Sequence, residues 1–183
     1  MRAYEIALFA VLTSLTHMLS GQVLRIGALR PRPQLTLGDT LTVTASPSVV
    51  NFTLHPSSVA TGSAPVVITT TWSGVSLLSS INLYGYFASA TIALSGSSPV
   101  INIPSSCVLG QVTTGTPVSY TAFTGSGPFG GAGASLQLYA QSSFLSLGGS
   151  RTDNLNLEIN IASLPQLPAA TYTGTLILEA QAF

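Results

Sequence analysis

Charge is what this 183-residue chain has least of, with 5% charged residues against about 25% in an ordinary soluble protein. Lysine is absent, and the basic residues are all arginine: Arg2, Arg25, Arg30, Arg32 and Arg151. From Thr40 to Ser150 no side chain carries a fixed charge. That excludes a nucleic-acid partner as a working reading, because such affinity comes from clustered Lys and Arg displacing counterions. Cysteine is nearly as scarce. Cys107 is the single one, so no disulfide can form within the chain. With no Cys, His or acidic residue near it in sequence, it reads as a small buried apolar residue rather than a nucleophile or metal ligand.

The same shortages argue against most chemistry. A serine nucleophile needs an imidazole base and an orienting acid, and beyond His17 near the N-terminus the only imidazole is His55. No G-x-S-x-G elbow accompanies it. Paired carboxylates would have to come from Asp39, Asp153, Glu158 and Glu179, and the last two fall on polar faces of predicted strands. Asp153, Asn154 and Asn156 lack the spacing of a calcium loop, and a turn contact between Arg151 and Asp153 is the simpler expectation. The sequence therefore predicts a protein that is not an enzyme, with no catalytic residue, no metal site and no cofactor.

What is present is apolar and alternating. The apolar fraction is 46% with net charge zero, the reverse of a disordered chain. The opening MRAYEIALFAVLTSLTHMLSGQ sets Arg2 ahead of an apolar run from Ile6 to Leu15, followed by the small Ser20 and Gly21. That order predicts a secretory signal peptide over residues 1–21, too short in its apolar part to span a bilayer. The mature chain is then secreted, passing the periplasm to an extracellular or cell-surface location, with no membrane span. Residues 22–34, rich in Arg and Pro, read as a linker or arm, and residues 35–183 as one domain.

Within that domain LTVTA, VVITTTW, INLYGYF, VSYTAF, SLQLYAQ and LNLEINI alternate with period two between Gly, Ser and Pro punctuation. A half-buried antiparallel strand requires this pattern. No helical stretch follows the N-terminal region, as Val, Thr, Ser and Gly dominate. The expected fold is all-β, an immunoglobulin-like antiparallel β-sandwich, with a jelly roll as the alternative. Trp72 is expected in the core. Tyr84 and Tyr86 share a strand face opposite Ile81 and Leu83, and Phe129 is the only large side chain in the Gly-rich loop TGSGPFGGAGAS. These three aromatics are the candidate ligand-binding residues, for carbohydrate or a surface partner.

The chain closes on LPAATYTGTLILEAQAF. Alternation places Tyr172, Gly174, Leu176, Leu178, Ala180 and Ala182 on one face of a single last strand. Leu167 and Pro168 lead into Tyr172 as in a tyrosine corner, whose hydroxyl bonds backbone a few residues upstream. This ending resembles that of chaperone–usher pilin subunits, including their spore-coat-U-like branch. LTVTASPSVVNFTL is similar to the opening strands of bacterial immunoglobulin-like surface modules, often involved in adhesion or carbohydrate contact. The pilin resemblance implies that the last strand lacks a neighbour and that a strand from another subunit supplies it. It also implies a donor, for which PQLTLGDTLTVTA offers Leu35, Leu37, Leu41, Val43 and Ala45 at alternate positions. The expected strand-exchange residues are Leu35, Leu37, Leu41, Val43, Tyr172, Leu176 and Leu178. The functional expectation is a non-enzymatic structural or surface-assembly protein, pilin-like, whose partners are copies of itself or other surface proteins. The alternative is a self-contained adhesion or carbohydrate-binding module.

Overall fold

A computed structural model describes residues 4–9, 40–74, 80–96, 100–141, 148–168 and 170–182. The predicted linker at 22–34 and the positions Leu35 and Leu37 lie outside the described residues. Among the described residues all regular structure is strand, apart from one 3₁₀ turn at Ser105–Cys107. No described helix is long and apolar enough to cross a membrane. The chain is an all-β, antiparallel β-sandwich, as its alternation predicts.

The larger sheet is built around a long strand. β1 (Tyr4–Phe9) precedes the body, which opens with β2 (Thr40–Ser46), β3 (Val49–Leu54), β4 (Val59–Thr61) and β5 (Val66–Ser73). β6 (Ile81–Tyr86), β7 (Leu94–Gly96), β8 (Asn102–Ile103), β9 (Val108–Val112) and β10 (Thr121–Ala122) follow. The last four are β11 (Ser135–Gln141), β12 (Gly148–Asn160), β13 (Tyr172–Thr173) and β14 (Ile177–Ala182). In the larger sheet the order is β10-β9-β12-β5-β2, with β4 also on β12. The other strands form β11-β6-β14, β13-β7-β8 and the pair β1-β3. Every pairing is antiparallel.

Alternation decides what is buried. Val66, Ile68, Thr70 and Trp72 of β5 are buried, as are Leu155, Leu157 and Ile159 of β12 and Ile81 and Leu83 of β6. Asn82, Tyr84 and Tyr86 stand on the opposite face of β6 and are half-buried. Phe123 shows how the layers meet. Its ring fits between β9 and β6 because glycine stands on both sides: a β-carbon on Gly110 would lie 3.3 Å from Cε2, and one on Gly85 3.1 Å from Cε1. The ring also meets Phe87 edge-on, with centroids 5.3 Å apart, a favoured aromatic geometry. Cys107 is buried in the same core, and burial pushes its thiol pKa up.

Three expectations are corrected. The predicted strand VSYTAF contracts to Thr121–Ala122. Val118 is 71% exposed, and the chain there is held as a turn by the Val112 N–H bonding to the Pro117 carbonyl. The Arg151–Asp153 contact is not in a turn but along β12, whose ladder with β5 begins at Gly148. Residues two apart in a strand share a face. The last strand is two strands: Tyr172–Thr173 lies on Gly96 and Ser95, and Ile177–Ala182 lies on β6. Changing sheets breaks the ladder, and the break falls at Gly174, where a β-carbon would come within 2.0 Å of the Ala93 carbonyl oxygen.

Candidate functional site

The end of the chain builds the first part of the site. Tyr172 is buried, and its hydroxyl donates to the Pro168 carbonyl at 3.2 Å, which is the tyrosine-corner bond expected of it. Leu176 is buried as well, while Leu178, Ala180 and Ala182 are partly buried against the core. β14 has β6 as its hydrogen-bonded neighbour, and among the described residues no strand pairs with its other side. β2 lies beside it without pairing. Leu41 and Val43, expected on a donor strand, are placed in β2 opposite Trp72 and Thr70 of the same chain.

A second edge is defined by β3. It buries Val50, Phe52 and Leu54 while Asn51 and Thr53 face out, yet it has no ladder partner within described residues 40–182. Its partner is β1, which pairs with it along its whole length, from Tyr4 opposite Leu54 to Phe9 opposite Val49. β1 also runs close to β13. These residues belong to the predicted signal peptide. The sequence signal for a strand there is the alternation of YEIALF, which the charged-apolar-small order of that stretch masks.

On the outer face of β6 the three aromatics converge. Phe129 meets Tyr84 edge-on at 5.8 Å and stacks on Tyr86 at 5.9 Å. The Gly-rich loop is pinned to make this possible. The buried Ser135 hydroxyl donates to the Gly125 carbonyl and accepts from the Gly127 N–H, both at 2.8 Å. Gly130 follows Phe129 with φ +79°, and a β-carbon there would lie 2.5 Å from Tyr86 Cδ2. A side chain at that position would be both strained and overlapped. Phe129 thus closes over both tyrosines and anchors the loop to the sheet.

Polar groups surround the aromatics. The Tyr86 hydroxyl donates to Glu179 Oε2 at 2.9 Å, and Gln137 Nε2 donates to the Tyr84 hydroxyl at 3.2 Å. Burial first, then the hydrogen bond and negative charge of Glu179, push the Tyr86 pKa up to about 12. Gln181, two residues beyond Glu179 on the same face of β14, has a buried Oε1 without a hydrogen-bond partner. Glu179 was legible in the sequence only as a surface charge, since its meeting with Tyr86 depends on how β14 pairs with β6.

Elsewhere the polar groups serve structure. Asp153, 1% exposed, takes Arg151 Nε on both carboxylate oxygens at 3.0 and 2.8 Å. The Thr114 hydroxyl donates to Asp153 Oδ1 at 2.9 Å, and the guanidinium lies 4.1 Å from the centre of the Tyr139 ring. The carboxylate raises the Arg151 pKa further. All of the side chains in this network answer one another, leaving the carboxylate no free face. His55 is exposed, and its backbone is tied to Ser58. With Leu54, Pro56, Ile161, Leu167, Pro168 and Tyr172 it lines a shallow notch. Among the described residues no three His, Cys, Asp or Glu side chains gather as a metal site would require. No protein-family model, curated protein or solved structure matches this chain.

Proposed function

We propose that this chain is a secreted, non-enzymatic surface-assembly subunit of immunoglobulin-like course, pilin-like in that an added strand completes its sandwich. The observation that carries the reading is β3: core-bearing, yet without a ladder partner in described residues 40–182. Backbone N–H and C=O groups beside a buried apolar strand must find partners, and an unpaired edge is a template for another chain. The tyrosine corner supports the immunoglobulin-like course. Light scattering over a concentration series, on the chain from Gln22 onward, is the test. Self-association that grows with concentration, with the β-rich circular dichroism spectrum retained, is expected. A folded monomer at every concentration sinks the reading.

A second reading, a carbohydrate- or partner-binding module, is favoured by the convergence of Tyr84, Tyr86 and Phe129 on one sheet face. Aromatic faces of this kind stack on sugar rings, and the amide of Gln137 supplies a polar neighbour. On this reading monomeric protein binds members of a glycan array, and Tyr84→Ala abolishes that binding while leaving the fold intact. Unchanged binding by the variant removes the aromatic face from consideration.

A further inference from the structure

We propose that the strand Tyr4–Phe9 is a built-in cap on the assembly edge: while joined to the chain it fills β3, and its removal opens β3 to a strand from a second copy. This rests on the strand-addition reading above and names what regulates it.

The seat is filled in full. Residues 4 to 9 are in register with residues 54 to 49 without a break, so no part of the β3 edge remains for another strand. The sequence of the cap is in step with its seat. Tyr4, Ile6 and Leu8 take the register positions opposite Leu54, Phe52 and Val50, which are buried, while Glu5 and Ala7 fall opposite the exposed Thr53 and Asn51 and Phe9 opposite the half-buried Val49. Residues directly opposite in an antiparallel pair belong to the same face. Glu5, an odd residue for the basic start of a leader, therefore stands where a strand on this edge has its polar side.

Backbone bonding says which groups the cap serves. The Asn51 carbonyl accepts from the Ser63 N–H at 2.9 Å, and the Asn51 N–H donates to the Ser63 hydroxyl at 3.1 Å. Asn51 thus directs its backbone away from β1. In an antiparallel ladder successive residues alternate in direction, so the groups aimed at β1 are those of Val50, Phe52 and Leu54. On the cap, the residues opposite them, Tyr4, Ile6 and Leu8, supply the matching N–H and C=O. The rest of the body holds β3 in place by other means: Gly62 packs so closely that a β-carbon there would lie 2.6 Å from Val50 Cγ1. With the Asn51–Ser63 bonds, that packing ties β3 to the body on the side away from β1.

Residues 10–39 separate the cap from β2, and a stretch of that length spans roughly 100 Å when fully extended. The cap also lies inside the charged-apolar-small order of residues 1–21, which reads as a removable leader. One cut after Gly21 would then both complete export and free the edge, holding the subunit closed until that point.

The test uses the full chain with a specific protease site inserted between Gly21 and Gln22, and a fluorescein-labelled peptide of residues 2–12 as probe. Before cleavage the protein is expected to be monomeric and to take up little peptide. After cleavage it should bind the peptide and self-associate. In the uncut chain Ile6→Pro, which removes an N–H aimed at β3, should raise peptide uptake about tenfold or more, because a ladder acceptor on β3 is left bare. Ala7→Pro, whose lost N–H faces away, should stay near the parent. Equal uptake by cut and uncut protein overturns the cap while leaving strand addition standing. A cut chain that stays folded but neither binds peptide nor associates defeats strand addition itself. Unfolding on cleavage shows Tyr4–Phe9 to be an integral strand and overturns the cap.

Discussion

β12 and β14 are both alternating strands, and their surroundings differ. β12 is flanked by β5 and β9, with β4 further along, and from Asp153 to Asn160 its residues switch strictly between buried and half-buried. β14 has a ladder on one side, and every residue described along it is half-buried. Alternation in sequence is necessary for a core strand but does not make one. A face becomes dry only when neighbours on both sides and a layer above exclude water from it, and among the described residues β14 has a ladder neighbour on one side alone.

The comparison can be broken most directly by truncating one leucine in each strand. Leu157→Ala, in β12, should cost about 3 kcal/mol, and Leu178→Ala, in β14, about 1–1.5, because a half-buried side chain has less apolar contact to lose. Urea denaturation measures both, and equal losses would mean that β14 is as well covered as β12. Asp153→Ala should cost about 2 kcal/mol, below the 3–5 typical of a severed buried pair, since Arg151 is 28% exposed and water can reach it. Tyr172→Phe removes the bond to the Pro168 carbonyl and should cost about 1 kcal/mol. No loss there would show that the corner bond does not hold the β13 end of the chain.

The smallest effect is on pH dependence, and it reads the partner side of β14. The folded-state pKa of Tyr86 is about 12, above the ordinary 10.0. Its contribution to stability is therefore complete below pH 10 and is lost as pH rises from 10 toward 12. Glu179→Gln removes the negative charge while leaving the burial, so the phenol pKa should fall but remain above 10. Phenolate absorbance during an alkaline titration reports it, and an unmoved midpoint would show that Glu179 does not hold Tyr86.

Much of the fold was legible residue by residue. The inward sets Val66-Ile68-Thr70-Trp72 and Leu155-Leu157-Ile159 follow from period two alone, as does the pairing of Tyr84 with Tyr86 on one face. The corner at Tyr172 was legible from a short local pattern because its bond spans four residues. What escaped were the joins between elements. The break in the last strand depends on Ala93 lying against Gly174, and the Tyr86–Glu179 bond crosses 93 residues. The shift between Gln137 and Tyr139 in β11, a β-bulge, likewise belongs to a ladder rather than a segment.

By itself the sequence determined a charge-poor, all-β sandwich with a defined inward face on each main strand, because side-chain alternation and turn residues act over a few residues. Only the tertiary structure decided that β3 takes its ladder partner from Tyr4–Phe9, that Phe129 closes over Tyr84 and Tyr86, and that β14 pairs with β6. Strand order and register are set by contacts between distant segments, and a segment carries no record of which other segment will lie beside it.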